Sequence, residues 1–402
     1  MRAAVIGYNI FAVGGTTQSN LNLLTTLNQH YTSTVYFNYL PFNATDIHQL
    51  KRRHHGLAKT QFALIKDLFE QESQLVGPYD VIWITREDLF PLSTILRNAN
   101  PQAMIIGEVH TPLALLDDNL PGLNDLSCVR VATPSIKDEF EERYNFKRIY
   151  VQTVGLDHLK WGKIDDQLSP NFVVQSRFFE KQKDIMYSLR LINDLKQHGK
   201  TNFHLYIQGT GADEFDYRSY IDGNHLRSMV SINRPLPRHY TYLSTSKFET
   251  LGYSIAETVA QGHQVLAYLG DDDVIYENFK DVPMVHWIEK HSLAEDADKM
   301  IAISQHAVTP DEFEQSQAAL TTMAADYYSK FVDRTQQFED LEFNLRPLTD
   351  KDKLQIQQII ENKLGPLNPG LTRRIYYRMI KAPIFKKIFG LRFFQRVKKK
   401  VK

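Results

Sequence analysis

The sequence predicts an α/β protein built from two successive doubly wound units, each a parallel sheet with helices on both faces. Three observations carry this. Short apolar runs alternate with amphipathic stretches over residues 1–165, a Pro170-Asn171 break interrupts them, and the alternation then restarts. Strands that alternate with helical segments imply parallel pairing, because a parallel connection has to cross over the sheet and a helix usually makes the crossing. At roughly 150 residues per domain, 402 residues hold two such units and an appendix.

In the first unit the predicted strands are Arg2–Tyr8, Ser33–Phe37, Val81–Thr85, Ala103–Glu108 and Val129–Ala132. They are rich in apolar side chains throughout, as strands buried on both faces are. Helical patterns over Asn20–Asn28, Asp46–Glu72, Leu92–Asn98 and Ser135–Tyr144 supply the crossovers. The second unit reads as strand Phe172–Gln175, helix Lys183–His198, strands Asn202–Gln208 and Tyr240–Ser244, helix Ser254–Gln261 and strand Gln264–Ala267. A long polar helical pattern from Asp311 to Asp340 closes it. The expected domains are therefore 1–165 and 166–340, followed by a basic amphipathic tail at 341–402.

Composition narrows the function classes. With 43% hydrophobic residues the chain can bury a core in each unit, which excludes a mainly disordered protein. The single cysteine, Cys128, can form neither an intrachain disulfide nor a thiolate cluster, so a reducing, cytoplasmic setting is expected. No run of about 20 apolar residues is present, and Met1–Tyr8 is too short for a signal-peptide core, so the expectation is a chain that neither spans a membrane nor is secreted by that route.

The equal totals of 47 basic and 47 acidic residues conceal a division. Residues 373–402 carry 12 Lys or Arg and no acid, leaving residues 1–372 with a net charge of −12. In that tail Ile375, Tyr376, Ile384, Phe385, Phe389 and Phe394 interleave with the basic residues, and Pro383 and Gly390 break the run. An aromatic, basic, amphipathic segment suits the interface of an anionic leaflet, and the expected partner is an anionic membrane surface on the inner face of the cell membrane. The alternative is a helix docked on the acidic body. Nucleic acid is not an expected partner, because no RNA- or DNA-binding module accompanies the charge.

The most informative window is Leu243–Tyr268, LSTSKFETLGYSIAETVAQGHQVLAY. A strand ends at Ser244, a polar loop carries Glu249, Gly252 permits close backbone approach, and a helix starting near Ser254 carries Glu257. Two carboxylates thus frame a helix N-terminus, whose amide groups and dipole favour a phosphate while the carboxylates accept from sugar hydroxyls. That combination suits a nucleotide-sugar. Ser254-Ile255-Ala256-Glu257 also fits the capping box S-x-x-E, which would account for Glu257 with no ligand.

This run resembles the E-x7-E motif of the retaining glycosyltransferases of family 4, whose usual form is close to E-G-F-G-x-S-x-x-E-A-x-A-x-G-x-P-V. Here it reads E-T-L-G-Y-S-I-A-E-T-V-A-Q-G-H-Q-V, with Gly262 and Val265 in place and Thr250, Thr258 and Gln264 departing. Other family landmarks follow in order. They are Gly14-Gly15 after the first strand, Gly107-Glu108-Val109-His110, Thr133-Pro134-Ser135, Val154-Gly155-Leu156-Asp157 at the domain junction, Ser176-Arg177, and Gly209-Thr210-Gly211. The resemblance implies the GT-B architecture: two Rossmann-like domains facing a cleft, the donor held mainly by the second and the acceptor lying in the cleft.

What the resemblance implies about the site can be stated residue by residue. Arg177 and Lys181 would face the donor diphosphate and stabilise charge on the leaving group. In the family that basic pair stands five apart and here it stands four apart, so Lys183 is a further candidate. Glu249 would face the transferred sugar and Glu257 the ribose, with Gly15, Gly252, Tyr253 and Ser254 completing the donor contacts. His110 would lie at the reaction centre, although a lone histidine at a strand end is commonly a plain loop or core residue.

Asp271-Asp272-Asp273 invites a metal reading, since acidic pairs hold Mn or Mg against a diphosphate in the other large glycosyltransferase fold. That fold has a single nucleotide-binding sheet, so the triplet reads as a solvated loop and no obligatory metal or cofactor is expected. The expected activity is retaining transfer of a hexose or N-acetylhexosamine from a nucleotide diphosphate sugar, UDP-linked, to a hydroxyl of a surface glycan, teichoic acid or lipid-linked acceptor. The rival is a catalytically inactive GT-B subunit that binds or chaperones an active glycosyltransferase. Retention of Glu249, Glu257 and Arg177 favours the enzyme. The sequence leaves the sugar, the linkage and the oligomeric state open, including pairing with a second copy or another subunit.

Overall fold

The computed structural model describes residues 1–69, 77–339 and 341–367; the basic tail from residue 373 and the Glu72 end of one predicted helix lie outside them. The first sheet has seven strands: β1 (Arg2–Gly7), β2 (Ser33–Asn38), β3 (Thr60–Leu64), β4 (Val81–Ile84), β5 (Met104–Glu108), β6 (Cys128–Val131) and β7 (Ile149–Val151). Their spatial order is 3-2-1-4-5-6-7 and every pairing is parallel. The second sheet holds β8 (Asn171–Gln175), β9 (His204–Gln208), β10 (Val230–Ile232), β11 (Thr241–Ser244), β12 (Val265–Tyr268) and β13 (Val285–Ile288), all parallel, in the order 10-9-8-11-12-13.

Helices cover both faces. Around the first sheet lie α1 (Gly15–His30), α2 (Ala44–Arg53), α3 (Leu92–Ala99) and α4 (Pro134–Tyr144). The second unit adds α5 (Glu180–Lys183), α6 (Ile185–Gln197), α7 (Glu214–Gly223), α8 (Tyr253–Ala260), α9 (Val274–Phe279), α10 (Leu293–Ser304) and α11 (Pro310–Ala324). The chain ends its described course with α12 (Tyr327–Thr335) and α13 (Asp350–Leu364). Local chemistry sets several starts: Asn43 and Asp46 form a capping box on α2, Thr133 caps α4 ahead of Pro134, and Thr309 with Glu312 caps α11.

Each sheet is buried on both sides. In the first domain Ile6, Phe37, Ile82 and Ile105 point to one cluster, and Val5, Tyr36, Trp83 and Ile106 to the other. That is the period of two expected of a strand covered on both faces. The second domain repeats the arrangement, with Val174, Leu243 and Ile207 on one side and Val173, Tyr242 and Val265 on the other.

Three expectations need correction. The helix predicted over Asp46–Glu72 stops at Arg53, and the chain turns through Gly56 into β3 on the edge of the sheet. There Thr60 Oγ1 accepts from Asn28 Nδ2 at 2.8 Å, which ties the new strand to α1. Secondly, the helix predicted over Asp311–Asp340 is broken at Ala325 and Asp326, where Asp326 takes a left-handed φ of 56°. Thirdly, only its first half stays with the second domain. Leu320 packs beside α8, whereas Phe331 of α12 stacks on Trp83 of the first sheet at 4.8 Å between ring centroids. α13 belongs to the first domain as well, burying Ile356 and Ile360 in its core, so residues 327–367 recross the molecule and strap the two domains together. Among the described residues no helix is long and apolar enough to cross a membrane.

Candidate functional site

In a doubly wound sheet the crossovers leave opposite faces at the point where strand order reverses, and a crevice opens beyond the strand C-termini there. The two reversals here lie between β1 and β4 and between β8 and β11. The loops leaving these strands carry Gly14-Gly15, Glu87, Arg177 and Glu249. The two crevices face one another: a Cβ placed on Gly15 would sit 3.5 Å from Tyr253 Cδ2, and Thr250 Oγ1 lies 3.5 Å from the His110 carbonyl.

α8 begins at Tyr253 behind Gly252, whose φ of 95° is left-handed. A Cβ there would also press on Phe279 and Ile255, at 3.1 and 3.3 Å. No side chain caps this helix, so the Ser254–Glu257 capping box is not formed. The N-terminus of α1 behind Gly14 is likewise uncapped by any side chain, and neither first turn carries an acid. Both ends therefore present unpaired amide donors and a positive dipole to the cleft.

Glu257 is held instead by His158, whose Nε2 lies 3.1 Å from Glu257 Oε1. Asn22 of α1 fixes the other ring nitrogen. Its Oδ1 accepts from Gln18, which leaves its Nδ2 to donate to the Gly155 carbonyl and to His158 Nδ1 at 3.0 Å. The network thus assigns the imidazole proton to Nε2, aimed at Glu257. Tyr253 OH donates to the same Gly155 carbonyl at 3.2 Å. One relay joins the first helix of one domain to the second carboxylate of the other.

The first carboxylate has its own cation. Lys183, at the end of α5, donates from Nζ to Glu249 Oε1, and both side chains are largely buried. The backbone around them is pinned by Gln182, which accepts from Arg177 Nη2 at 3.3 Å and donates to the Phe248 carbonyl at 3.1 Å. Arg177 and Lys181 are exposed. Lys181 points away from the Glu249 loop's ion pair, so of the two lysines weighed from the sequence the structure brings Lys183 to the carboxylate.

Across the cleft, His110 Nε2 donates to Glu108 Oε2 at 2.8 Å. Glu108 is itself buried against Arg130, whose Nε stands 3.0 Å from Glu108 Oε1 while Nη1 donates to the Gln152 carbonyl. Burial pushes the Glu108 carboxyl up, but Arg130 and His110 outweigh it and hold its pKa below the ordinary value. Glu87 accepts from the backbone N–H groups of both His110 and Thr111. His110 is thereby locked in ring and backbone by charges of its own domain.

The acidic triplet sits apart from this chemistry. Asp273 is the left-handed N-cap residue of α9, and Asp272 accepts from Val274 N at 3.3 Å. Burial pushes the Asp272 carboxyl up to about 6. Among the described residues no group of three His, Cys, Asp or Glu side chains is placed to hold a metal ion. The residues that sequence reasoning missed are His158, Asn22, Gln182, Glu87 and Arg130. Each acts through partners distant in the chain.

Neither a family model nor a curated protein matches the chain. Solved structures do. TarM of S. aureus, in complex with Fondaparinux, alpha-GlcNAc-glycerol and UDP, superposes with a TM-score of 0.62 at 12% identity over 85% of this chain and 100% of that one. The pneumococcal O-GlcNAc transferase GtfA, with UDP and GlcNAc, gives 0.55 at 10% identity over 85% and 99%. Anabaena HepE, with UDP and glucose, gives 0.57 at 15% identity over 84% and 98%. These GT-B glycosyltransferases share the paired parallel sheets and the facing cleft described above. The chain has the GT-B fold.

Proposed function

We propose that the protein is a retaining glycosyltransferase that moves a hexose or N-acetylhexosamine from a UDP-sugar to a hydroxyl of a cell-surface glycan, teichoic acid or lipid-linked acceptor. The observation that carries the reading is the Lys183–Glu249 pair standing beside the uncapped N-terminus of α8, with Glu257 on the next turn and His110 opposite. Neighbours of the same fold were solved with UDP and with GlcNAc or glucose, which supports a UDP-sugar for this cleft.

In this reading the ribose hydroxyls donate to Glu257, in place of or beside His158, and the diphosphate lies between the N-termini of α1 and α8. When the bond from the anomeric carbon to the β-phosphate oxygen breaks, the electron pair leaves with UDP. Lys183 and Arg177 stabilise that negative charge, as do the helix-end amides, so this chemistry assigns no step to a metal. Glu249 is held by Lys183 where the sugar hydroxyls would sit. The acceptor oxygen then bonds to the anomeric carbon and its proton leaves with the departing phosphate oxygen or to water. His110, fixed by Glu108 and Glu87, forms the opposite wall.

The tail from residue 373 would hold the protein peripherally on the inner face of the membrane, close to such acceptors. The test is incubation with UDP-glucose, UDP-galactose or UDP-GlcNAc and a poly(glycerol phosphate) acceptor, followed by proton NMR of the product. Release of UDP with an α-anomeric product supports the reading. A β-anomer removes the retaining mechanism, and no product with any donor removes the function.

A further inference from the structure

The outer edge of the first domain carries charge that nothing in the site uses. From Ile47 to Lys66 the sequence has five Lys or Arg, three His and no Asp or Glu, within a body whose net charge is −12. Lys51, Arg52 and Arg53 form the last turn of α2, and Lys59 follows in the turn before β3. Arg52, Arg53 and Lys59 are exposed, and among the described residues none of the three has an ion-pair partner. Lys51 donates to the Ala58 carbonyl at 3.0 Å and lies 5.8 Å above the ring of Phe62.

An aromatic shelf connects this charge to the cleft. Phe11 follows β1, on the loop that also carries Gly14-Gly15, and Phe42 lies in the loop that enters α2. Their centroids are 5.1 Å apart, and Phe62 lies 5.8 Å from Phe11. The three rings are only partly buried, and beside them Val13 is fully exposed at the mouth of the cleft. From there the ten residues of α2 run about 15 Å along the domain edge to the basic turn. The surface thus begins where an acceptor would enter and continues farther than one sugar reaches.

We propose that this ledge binds a polyanionic acceptor chain, a phosphate-bearing polyol or glycan polymer, with its rings receiving the C–H faces of the units near the cleft and Lys51, Arg52, Arg53 and Lys59 receiving its phosphates. The proposal rests on the glycosyltransferase reading only for the identity of the chain as acceptor. Clustered cations that track a polyanion gain affinity by releasing its counterions, so binding weakens steeply with salt in proportion to the number of contacts. Aromatic faces add salt-independent contact at the near end.

The test compares the full-length wild type with Lys51→Ala/Arg52→Ala/Arg53→Ala/Lys59→Ala, both carrying the same basic tail. Soluble poly(glycerol phosphate) is titrated by calorimetry at several salt concentrations. The variant is expected to bind about tenfold or more weakly, with a shallower salt dependence, while transfer to a small neutral acceptor stays within about twofold. Arg52→Glu/Lys59→Glu, which touches only exposed side chains, is expected to show the same loss and guards against a folding defect in the first variant. Unchanged polymer affinity in both variants overturns the ledge. So does retention of the polymer with loss of binding to phosphatidylglycerol vesicles, which would assign the surface to a membrane. Because the calorimetric arm needs no turnover, a protein inactive with every donor would sink the proposed function while this arm still decides the ledge.

Discussion

Lys183 and Glu249 form an ion pair between the two loops that leave β8 and β11, the strands on either side of the second domain's reversal point. The pair places an ammonium group where a diphosphate leaving group would gain charge. Lys183→Ala is therefore expected to lower kcat by about 10²-fold or more, as removal of an electrostatic stabiliser does. Arg177→Ala is expected to act in the same direction. Lys181→Ala, at an exposed position away from the pair, is expected to stay within about twofold of wild type. Steady-state transfer kinetics check all three.

His158 is expected to work through Glu257. It carries the proton that orients the carboxylate and is itself held across the cleft by Asn22. His158→Ala should raise KM for the UDP-sugar by up to about tenfold, the worth of one well-placed hydrogen bond, and change kcat much less. Equal losses in both constants would mean that His158 acts at the reacting atoms and not on the nucleotide.

Asp272 gives the pH test. Its carboxyl is raised by burial to about 6, from 3.8 in the unfolded chain, so the folded state binds the proton more tightly. Stability from this group is present below about pH 4 and is lost as pH rises to 6. Asp272→Asn keeps the acceptor for Val274 N and removes the charge. At pH 7.5 it should stabilise the protein by about 1 kcal/mol after allowance for solvent screening, and the gain should vanish below pH 4. Its transfer activity should match wild type with or without EDTA, because the charge of the diphosphate is assigned to Lys183, Arg177 and the helix ends. Loss of activity in the variant, or loss with the chelator and recovery with Mn, would return the triplet to the site.

The tail supplies a location test. Each Lys or Arg near an anionic leaflet contributes about 1 kcal/mol before screening, so partial engagement of its 12 charges should hold the chain to vesicles. Truncation after Gly370 should abolish sedimentation with anionic liposomes and spare transfer to a small soluble acceptor. Salt should weaken the attachment of the intact chain, since the attraction is screened within about 8–10 Å. Equal binding to zwitterionic liposomes would contradict it.

The central strands of both sheets were legible because their apolar runs are long and bounded by turns. β10 and β13 were not, since three or four residues, Val230–Ile232 and Val285–Ile288, carry too little pattern. β3 was hidden for another reason: Leu57, Phe62, Ile65 and Leu68 mimic a helical spacing that only the turn at Gly56 interrupts. The strap formed by α12 and α13 was unreadable, because nothing local tells Phe331 to pack on Trp83. In the site, the Glu249–Glu257 spacing stood out, and its capping alternative failed once Gly252 proved to be the N-cap. The choice between Lys181 and Lys183 depended on how the short helix α5 is phased, which residue counting does not fix. His158 lies 99 residues from Glu257, and no sequence interval announces such a pair.

The central claim is that the cleft is a nucleotide-sugar site read by Glu257 and the end of α8. Calorimetric titration of UDP into the full-length wild type and Glu257→Gln tests it most directly. The wild type should bind one UDP, and the variant should bind about tenfold or more weakly with its thermal unfolding little changed, since its carboxylate caps no helix. Equal affinity in both, or no binding to the wild type, would contradict the site and the function built on it.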